Sequence, residues 1–224
     1  MVPTYRRTLA ASALAAVALA TAACSPVPGG GTEGRPAAAG SALAAVDTLT
    51  VKGRAPKTGY DREKFGQAWA DVDRNGCGTR DDILKRDLTG VRYTDGHCKV
   101  ASGTLTDDPY TGTTVTYVRG RSKVDIDHVV ALSDAWQKGA QQWNAETRRR
   151  FANDPLNLLA VDAATNRRKS DGDAATWLPP NGAYRCTYVA RQVAVKKKYG
   201  VWVTEGERDA MKRILRECPQ QKLP

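Results

Sequence analysis

The sequence predicts an α+β domain, and three observations carry the prediction. Residues 99–105 and 113–118 are rich in β-formers and flank the polar loop Asp107-Asp108-Pro109-Tyr110-Thr111-Gly112, a hairpin signal. Residues 124–130 and 156–161 are two further short apolar runs, and Asp162 can cap a helix over residues 163–169. Cys77, Cys98, Cys186 and Cys218 fall in the same part of the chain, enough for two disulfides.

In chain order, residues 1–23 read as a targeting segment. Arg6 and Arg7 give a positive start and a weak twin-arginine hint, and residues 9–20 are an apolar run too short to span a bilayer. Thr21-Ala22-Ala23-Cys24 has the small residues of a bacterial lipobox, in which Cys24 is lipidated; ordinary secretory cleavage beside an incidental Cys24 is the plainer alternative. Both readings export the protein. Residues 24–45 are Gly, Pro, Ala and Ser without periodicity, the composition of a disordered linker. Residues 46–224 suit one domain around one core. No stretch after the leader is long and apolar enough to span a membrane.

The charge is +10 over the whole chain and +8 without residues 1–23, which favours a polyanionic partner over an acidic one. Exported cysteines point to disulfides rather than thiols. Three pairings are open. Cys77–Cys98 and Cys186–Cys218 are preferred, because each closes a local loop and contributes about 3 kcal/mol. A zinc knuckle would need a C-x-x-C pair, which the chain lacks.

Within the domain, residues 61–88 read as two helical pieces around the turn Asp73-Arg74-Asn75-Gly76. Phe65, Ala68 and Trp69 share a helical face, and Thr79-Arg80-Asp81-Asp82 opens the second piece. Asp71, Asp73 and Asn75 resemble a calcium loop without its closing glutamate, so a turn is expected. Ser133 can cap a helix through Trp136 and Ala140, and residues 144–151 form another helical turn. Helices are expected over residues 184–199 and 205–218, the second opened by the capping box Thr204-Glu205-Gly206-Glu207.

The chemistry concentrates between Asp125 and Asp173. Asp127 stands beside His128, one of two histidines. On an extended strand the two side chains point to opposite faces, so one pocket can hold both only if the backbone bends. A neutral imidazole near its ordinary pKa of about 6.5 can act as a base. Asn157 opens the second strand and can bridge the hairpin to orient the imidazole; Asn153 is its rival. Asn166 offers a neutral oxygen that, with a carboxylate, suits magnesium or manganese. Arg167, Arg168 and Lys169 follow. Lys169, three residues after Asn166 and on its face, is the best phosphate contact, and Asp173 could accept a supporting hydrogen bond.

The pattern Asp127-His128 … Asn157 … Asn166-x-x-Lys169 resembles the ββα-metal, or HNH, nuclease superfamily in its H-N-N form. Asn157-Leu158-Leu159 through Asn166 to Asp171 is similar to the HNH domain of RNA-guided CRISPR nucleases. The wider stretch from Asp125 to Leu159 resembles secreted actinobacterial HNH-family proteins, which share their nuclease domain with the C-terminal part of GmrSD-type restriction enzymes. The resemblance implies a ββα core embedded in further helices and a hairpin. It implies Asp127 and Asn166 as ligands of a divalent cation, Mg²⁺ first and Mn²⁺ second, His128 as general base and Asn157 as its orienter. Many members carry histidine where this chain has Asn166, which leaves the metal preference open.

The expected function is therefore metal-assisted phosphodiester hydrolysis by an exported nuclease of low sequence specificity, acting on DNA rather than RNA. The alternatives are a non-catalytic lipoprotein that binds nucleic acid or another polyanion, and a phosphodiesterase for a small substrate. Trp69, Trp136, Trp143, Trp177 and Trp202 could stack on bases, though most belong to core packing.

Overall fold

The structure, a computed structural model, describes Met1, Pro3, Thr4, Ala38 and residues 40–224. Most of the targeting segment, Cys24 and most of the expected linker lie outside these residues.

The end of that linker is folded. Ser41 caps α1 (Ala42–Val46) by accepting from the Ala44 amide, and Ala42 and Val46 are fully buried. This corrects the domain start: Ala-Leu-Ala-Ala-Val is short, but it is apolar enough to dock on helices that need cover.

Two sheets organise the rest. β1 (Thr89–Tyr93), β2 (Val100–Leu105) and β3 (Val115–Val118) form an antiparallel sheet in the order β1-β2-β3. The expected hairpin is β2–β3; β1 is an added, mostly exposed edge strand. β4 (Val124–His128) and β5 (Leu158–Asp162) form a separate antiparallel pair with His128 opposite Leu158 and Asp127 opposite Leu159. α5 (Ala163–Lys169) follows β5 at once, with Asp162 capping it through the Thr165 amide. This is the expected ββα unit.

The β4–β5 pair has a core on each side. Val124, Ile126, Leu158 and Ala160 pack with Ile83 and Leu84 of α2 (Thr79–Asp87) and with Leu105 and Tyr117 of the three-stranded sheet. Leu159 and Val161 pack with Tyr110, α1, α6 (Arg185–Tyr199) and α7 (Glu205–Arg216). A third cluster joins Phe65, Trp136 of α3 (Leu132–Gln137) and Phe151 of α4 (Ala145–Ala152).

Several local expectations change. Of the helical pieces expected over residues 61–88, the first is only a 3-10 turn at Arg62–Phe65. Ser133 does not cap α3: Ala131 holds the cap position, and the Ser133 hydroxyl donates to Asp171. α3 stops before Gly139 (φ +127), and Ala140 lies in a short 3-10 turn. Asp71, Asp73 and Asn75 form a turn, as expected; the Asp71 carboxylate accepts from the Asn75 and Gly76 amides. Both preferred disulfides are present, Cys77–Cys98 and Cys186–Cys218.

A buried ionic network locks the C-terminal helices to the rest. Lys138 Nζ lies 2.7 Å from Asp134, 2.7 Å from Asp173 and 2.6 Å from Glu207. Lys196 lies 2.9 Å from Glu207 and 3.3 Å from Asp134, and Arg54 reaches Asp134 and Asp173 at 3.0 and 2.8 Å. Three cations balance three carboxylates, the arrangement a dry interior requires. Burial opposes ionisation of Asp173, yet Lys138 and Arg54 hold its pKa below the ordinary value.

Candidate active site

β4 does not bend before its end, so its side chains alternate. Asp125 and Asp127 face α5; His128 faces the other way. The α5 side is a closed ionic contact. Lys169 Nζ donates to Asp127 Oδ1 at 3.0 Å and to the His128 carbonyl at 2.9 Å, and the Tyr110 hydroxyl donates to Asp127 Oδ2. Tyr110 is fully buried and Lys169 2% exposed. Burial pushes the Asp127 carboxyl pKa up, against the pull of Lys169 and Tyr110. Asn166 turns instead to Asp125, with Nδ2 3.4 Å from Oδ2.

This placement differs from the sequence expectation in two ways. Asp127 and Asn166 do not converge. Lys169 is sealed beneath α5 and cannot reach a phosphate. Arg167 and Arg168 are exposed on α5, and Arg168 donates to Thr165. A divalent cation does not fit Asp127 as placed, because one oxygen holds an ammonium group and the other a hydroxyl. Among the described residues no group of three His, Cys, Asp or Glu side chains is poised for a metal ion. Asp173, a possible supporting acceptor, belongs to the buried network.

Asn157 holds the chain that follows His128. It is fully buried; Oδ1 accepts from the Val130 amide at 2.8 Å, and Nδ2 donates to the Val130 carbonyl at 3.2 Å. Its own carbonyl accepts from Val129. The expected bridge across the hairpin exists, and it acts on the backbone rather than on the ring. Asn153, the rival, is also buried: Nδ2 donates to the Arg149 carbonyl, and Oδ1 has no partner among the described residues.

The imidazole itself is held by Ala152, whose carbonyl lies 2.8 Å from Nε2. A carbonyl only accepts, so Nε2 carries the hydrogen and Nδ1 the lone pair. The ring is 7% exposed. Burial, reinforced by the charges of Arg62 and Lys169, lowers its pKa to about 3, so it is neutral throughout the physiological range.

His128 lies in a cavity of about 660 Å³ walled by Arg62, Phe65, Trp69, Leu132 and Asn153. Trp69 lies nearly parallel to the imidazole, 20° between planes and 6.2 Å between centroids, and Arg80 sits over the Trp69 ring at 5.6 Å. Sequence reasoning placed Trp69 on a helix face and gave Arg62 no role. Their approach to a strand about sixty residues later leaves no local signal. The other tryptophans pack: Trp136 with Phe65, Trp143 with Phe151, Trp177 with Tyr110, and Trp202 against Gly139.

A two-stranded antiparallel pair runs straight into a helix, with Asp-His at the end of its first strand, which is a ββα arrangement. Residues 78–214 match the family of GmrSD restriction endonucleases, C-terminal domain, and the chain belongs to it. Membership points to an endonuclease-type hydrolase with a nucleic-acid substrate. The chain is also 40% identical over 182 residues to a protein of Arthroderma benhamiae (strain ATCC MYA-4681 / CBS 112371) named "Uncharacterized secreted protein", a match covering 80% of this chain and 86% of that one. Arg62 and Trp69 lie before the family-matched region.

Proposed function

We propose that the chain is an exported hydrolase that cuts nucleic-acid phosphodiesters, DNA in the first instance and with low sequence specificity, using His128 as general base. The observation that carries this reading is the Nε2 contact to Ala152, which leaves a lone pair on Nδ1 of a neutral ring at the edge of a cavity. Water attacks phosphorus while Nδ1 takes its proton; the new O–P bond forms as the bond to the leaving oxygen breaks, and that oxygen is reprotonated. A pKa near 3 makes the unliganded imidazole a weak base. An anionic phosphodiester beside it favours the protonated ring and raises that pKa during the reaction. Asn157 positions the ring through the backbone. Export rests on the leader-like residues 1–23 and on the relative's printed name.

The resemblance also implies a divalent cation, Mg²⁺ or Mn²⁺. Asp127 and Asn166 as arranged do not fit it, so no step here depends on it. The purified chain incubated with plasmid, with and without each metal and EDTA, tests both points. Cutting that disappears with His128→Ala supports the base; cutting unaffected by that change refutes it, and the EDTA arm reads the metal requirement.

The second reading is a lipoprotein, anchored through Cys24, that binds nucleic acid without cutting. The observation favouring it is the closed Asp127–Lys169 contact where a cation ligand was expected. DNA shifts without cleavage under every metal would select it.

A further inference from the structure

We propose that residues 67–77 form a lid over His128, and that this lid swings aside to let a duplex nucleic-acid backbone reach the imidazole. The inference deepens the hydrolase reading by naming how its site opens, and it rests on that reading in taking His128 as the reacting centre.

The recess has two kinds of wall. Phe65, Leu132 of α3 and Ala152 of α4 belong to a core cluster and cannot shift without breaking it. Trp69 is only partly buried, and the segment carrying it makes no main-chain to main-chain hydrogen bond among the described residues. Side chains hold it instead. The Thr79 hydroxyl donates to the Ala70 carbonyl, Asn75 Nδ2 donates to Asp82 Oδ1 at 3.0 Å, and Arg80 sits over the Trp69 ring. Trp69 and Arg74 have φ of +58 and +60, a region in which side chains are strained. Such a segment opens at lower cost than a helix or a strand. Its ends are fixed, by Phe65 at 1% exposure and by the Cys77–Cys98 bond, so it can move as a strap without unfolding its neighbours. A second cavity of about 620 Å³, between Asp71, Val72 and Arg74 on one side and Arg149, Arg150 and Tyr199 on the other, leaves room beside it.

Opening is what a duplex requires. The imidazole is 7% exposed, and duplex DNA holds its phosphates on a stiff cylinder, so none can be pressed into the recess as it stands. The mouth also sets the carboxylates of Asp61 and Glu63 against the single cation Arg62. With the lid aside, the imidazole is uncovered where Trp69 and Arg80 stood together. Arg80 makes no ion pair among the described residues and can exchange the indole ring for a phosphate. The substrate therefore binds the open form better than the closed one, the condition for shifting the balance between them.

The full chain is treated with diethyl pyrocarbonate, which carbethoxylates a neutral imidazole nitrogen that it can reach. The chain holds two histidines, so peptide masses assign the label, and N-acetylhistidine calibrates the reagent. Neither Thr79 nor Asn75 lines the cavity, so changing them reaches His128 only through the lid. Thr79→Val removes one hydrogen bond of the closed form and should speed His128 labelling about fivefold; Asn75→Ala should act in the same direction. Cys186→Ser with Cys218→Ser, which loosens the fold elsewhere, should not. In a His128→Gln chain, which leaves substrate intact, Thr79→Val should tighten binding of a short labelled duplex by the same factor. Fluorescence anisotropy without added metal reads this, because the apparent constant follows the open fraction. Labelling unchanged in both lid variants, equal acceleration in the cysteine variant, or a duplex that does not bind or binds with an unchanged constant overturns the proposal. The two readings fail separately. A chain whose labelling and duplex binding both rise in Thr79→Val but which never cuts sinks the hydrolase alone; a chain that cuts plasmid, with labelling and binding unmoved by Thr79→Val, sinks the lid alone.

Discussion

Lys169→Met separates a structural lysine from a phosphate-binding one. Lys169 is 2% exposed and donates to Asp127 Oδ1 at 3.0 Å and to the His128 carbonyl at 2.9 Å. Methionine keeps the stem volume and removes the charge. Asp127 is then a buried carboxylate without its cation, and breaking a buried pair from one side costs about 3–5 kcal/mol. For a domain of this size each kcal/mol moves the melting temperature by about 2–4 °C, so a fall of about 6–20 °C is expected. Chemical denaturation followed by tryptophan fluorescence measures the free energy, with circular dichroism for the melt. Adding Asp127→Asn should return about 1–3 kcal/mol, since the orphaned charge is gone. A Lys169→Met chain as stable as the parent, but with weakened phosphate binding, would show that the ammonium is free and that its placement beneath α5 is mistaken.

Three further outcomes follow from the same geometry. Below pH about 6.5 the unfolded histidine takes up a proton that folded His128, with its pKa near 3, refuses; this group therefore removes about 1.4 kcal/mol of stability per pH unit between roughly pH 6 and 4. Denaturation across that window should be flatter for His128→Gln, and an identical slope would contradict the burial of the ring. Lys138→Met leaves Asp134, Asp173 and Glu207 short of one cation and should cost about 3–5 kcal/mol in urea denaturation, partly restored by Glu207→Gln. Replacing Cys186 and Cys218 by serine frees the start of α6 from the end of α7, which should cost about 3–4 kcal/mol for a separation of 32 residues; an unchanged midpoint under reduction would exclude a stabilising bridge.

The elements legible in the sequence are those whose signal is local. Asp162 and Thr204 cap the helices they were expected to cap, and the two short cysteine loops close as spacing suggested. β1 escaped because Thr-Gly-Val-Arg-Tyr lacks alternation and is an edge strand, mostly exposed, that only a neighbour makes visible. Ser133 misled because a capping hydroxyl is useful only at the first turn's edge, and Asp171 took it from another part of the chain. At the site, period-two alternation already stated that Asp127 and His128 diverge; one pocket needed a bend, and β4 keeps its register to His128. Lys169 was correctly placed on the face of Asn166, but that face is the inward one, and a buried lysine needs a carboxylate before it can meet anything else. Arg62 and Trp69 could not be read, because nothing near them in sequence names β4 as their neighbour.

The pairing of His128 with Leu158 sets the phase of everything downstream. A slip of one residue would exchange the sides: the carboxylate would enter the cavity, and the imidazole would press against Tyr110 in an apolar interior. Both hydrogen bonds of the Asn157 amide to Val130 fall immediately past this point and tie the first residues after β4 to the residue just before β5. Fidelity of register, and with it the identity of the group that greets a substrate, thus depends on a side chain with no solvent exposure at all.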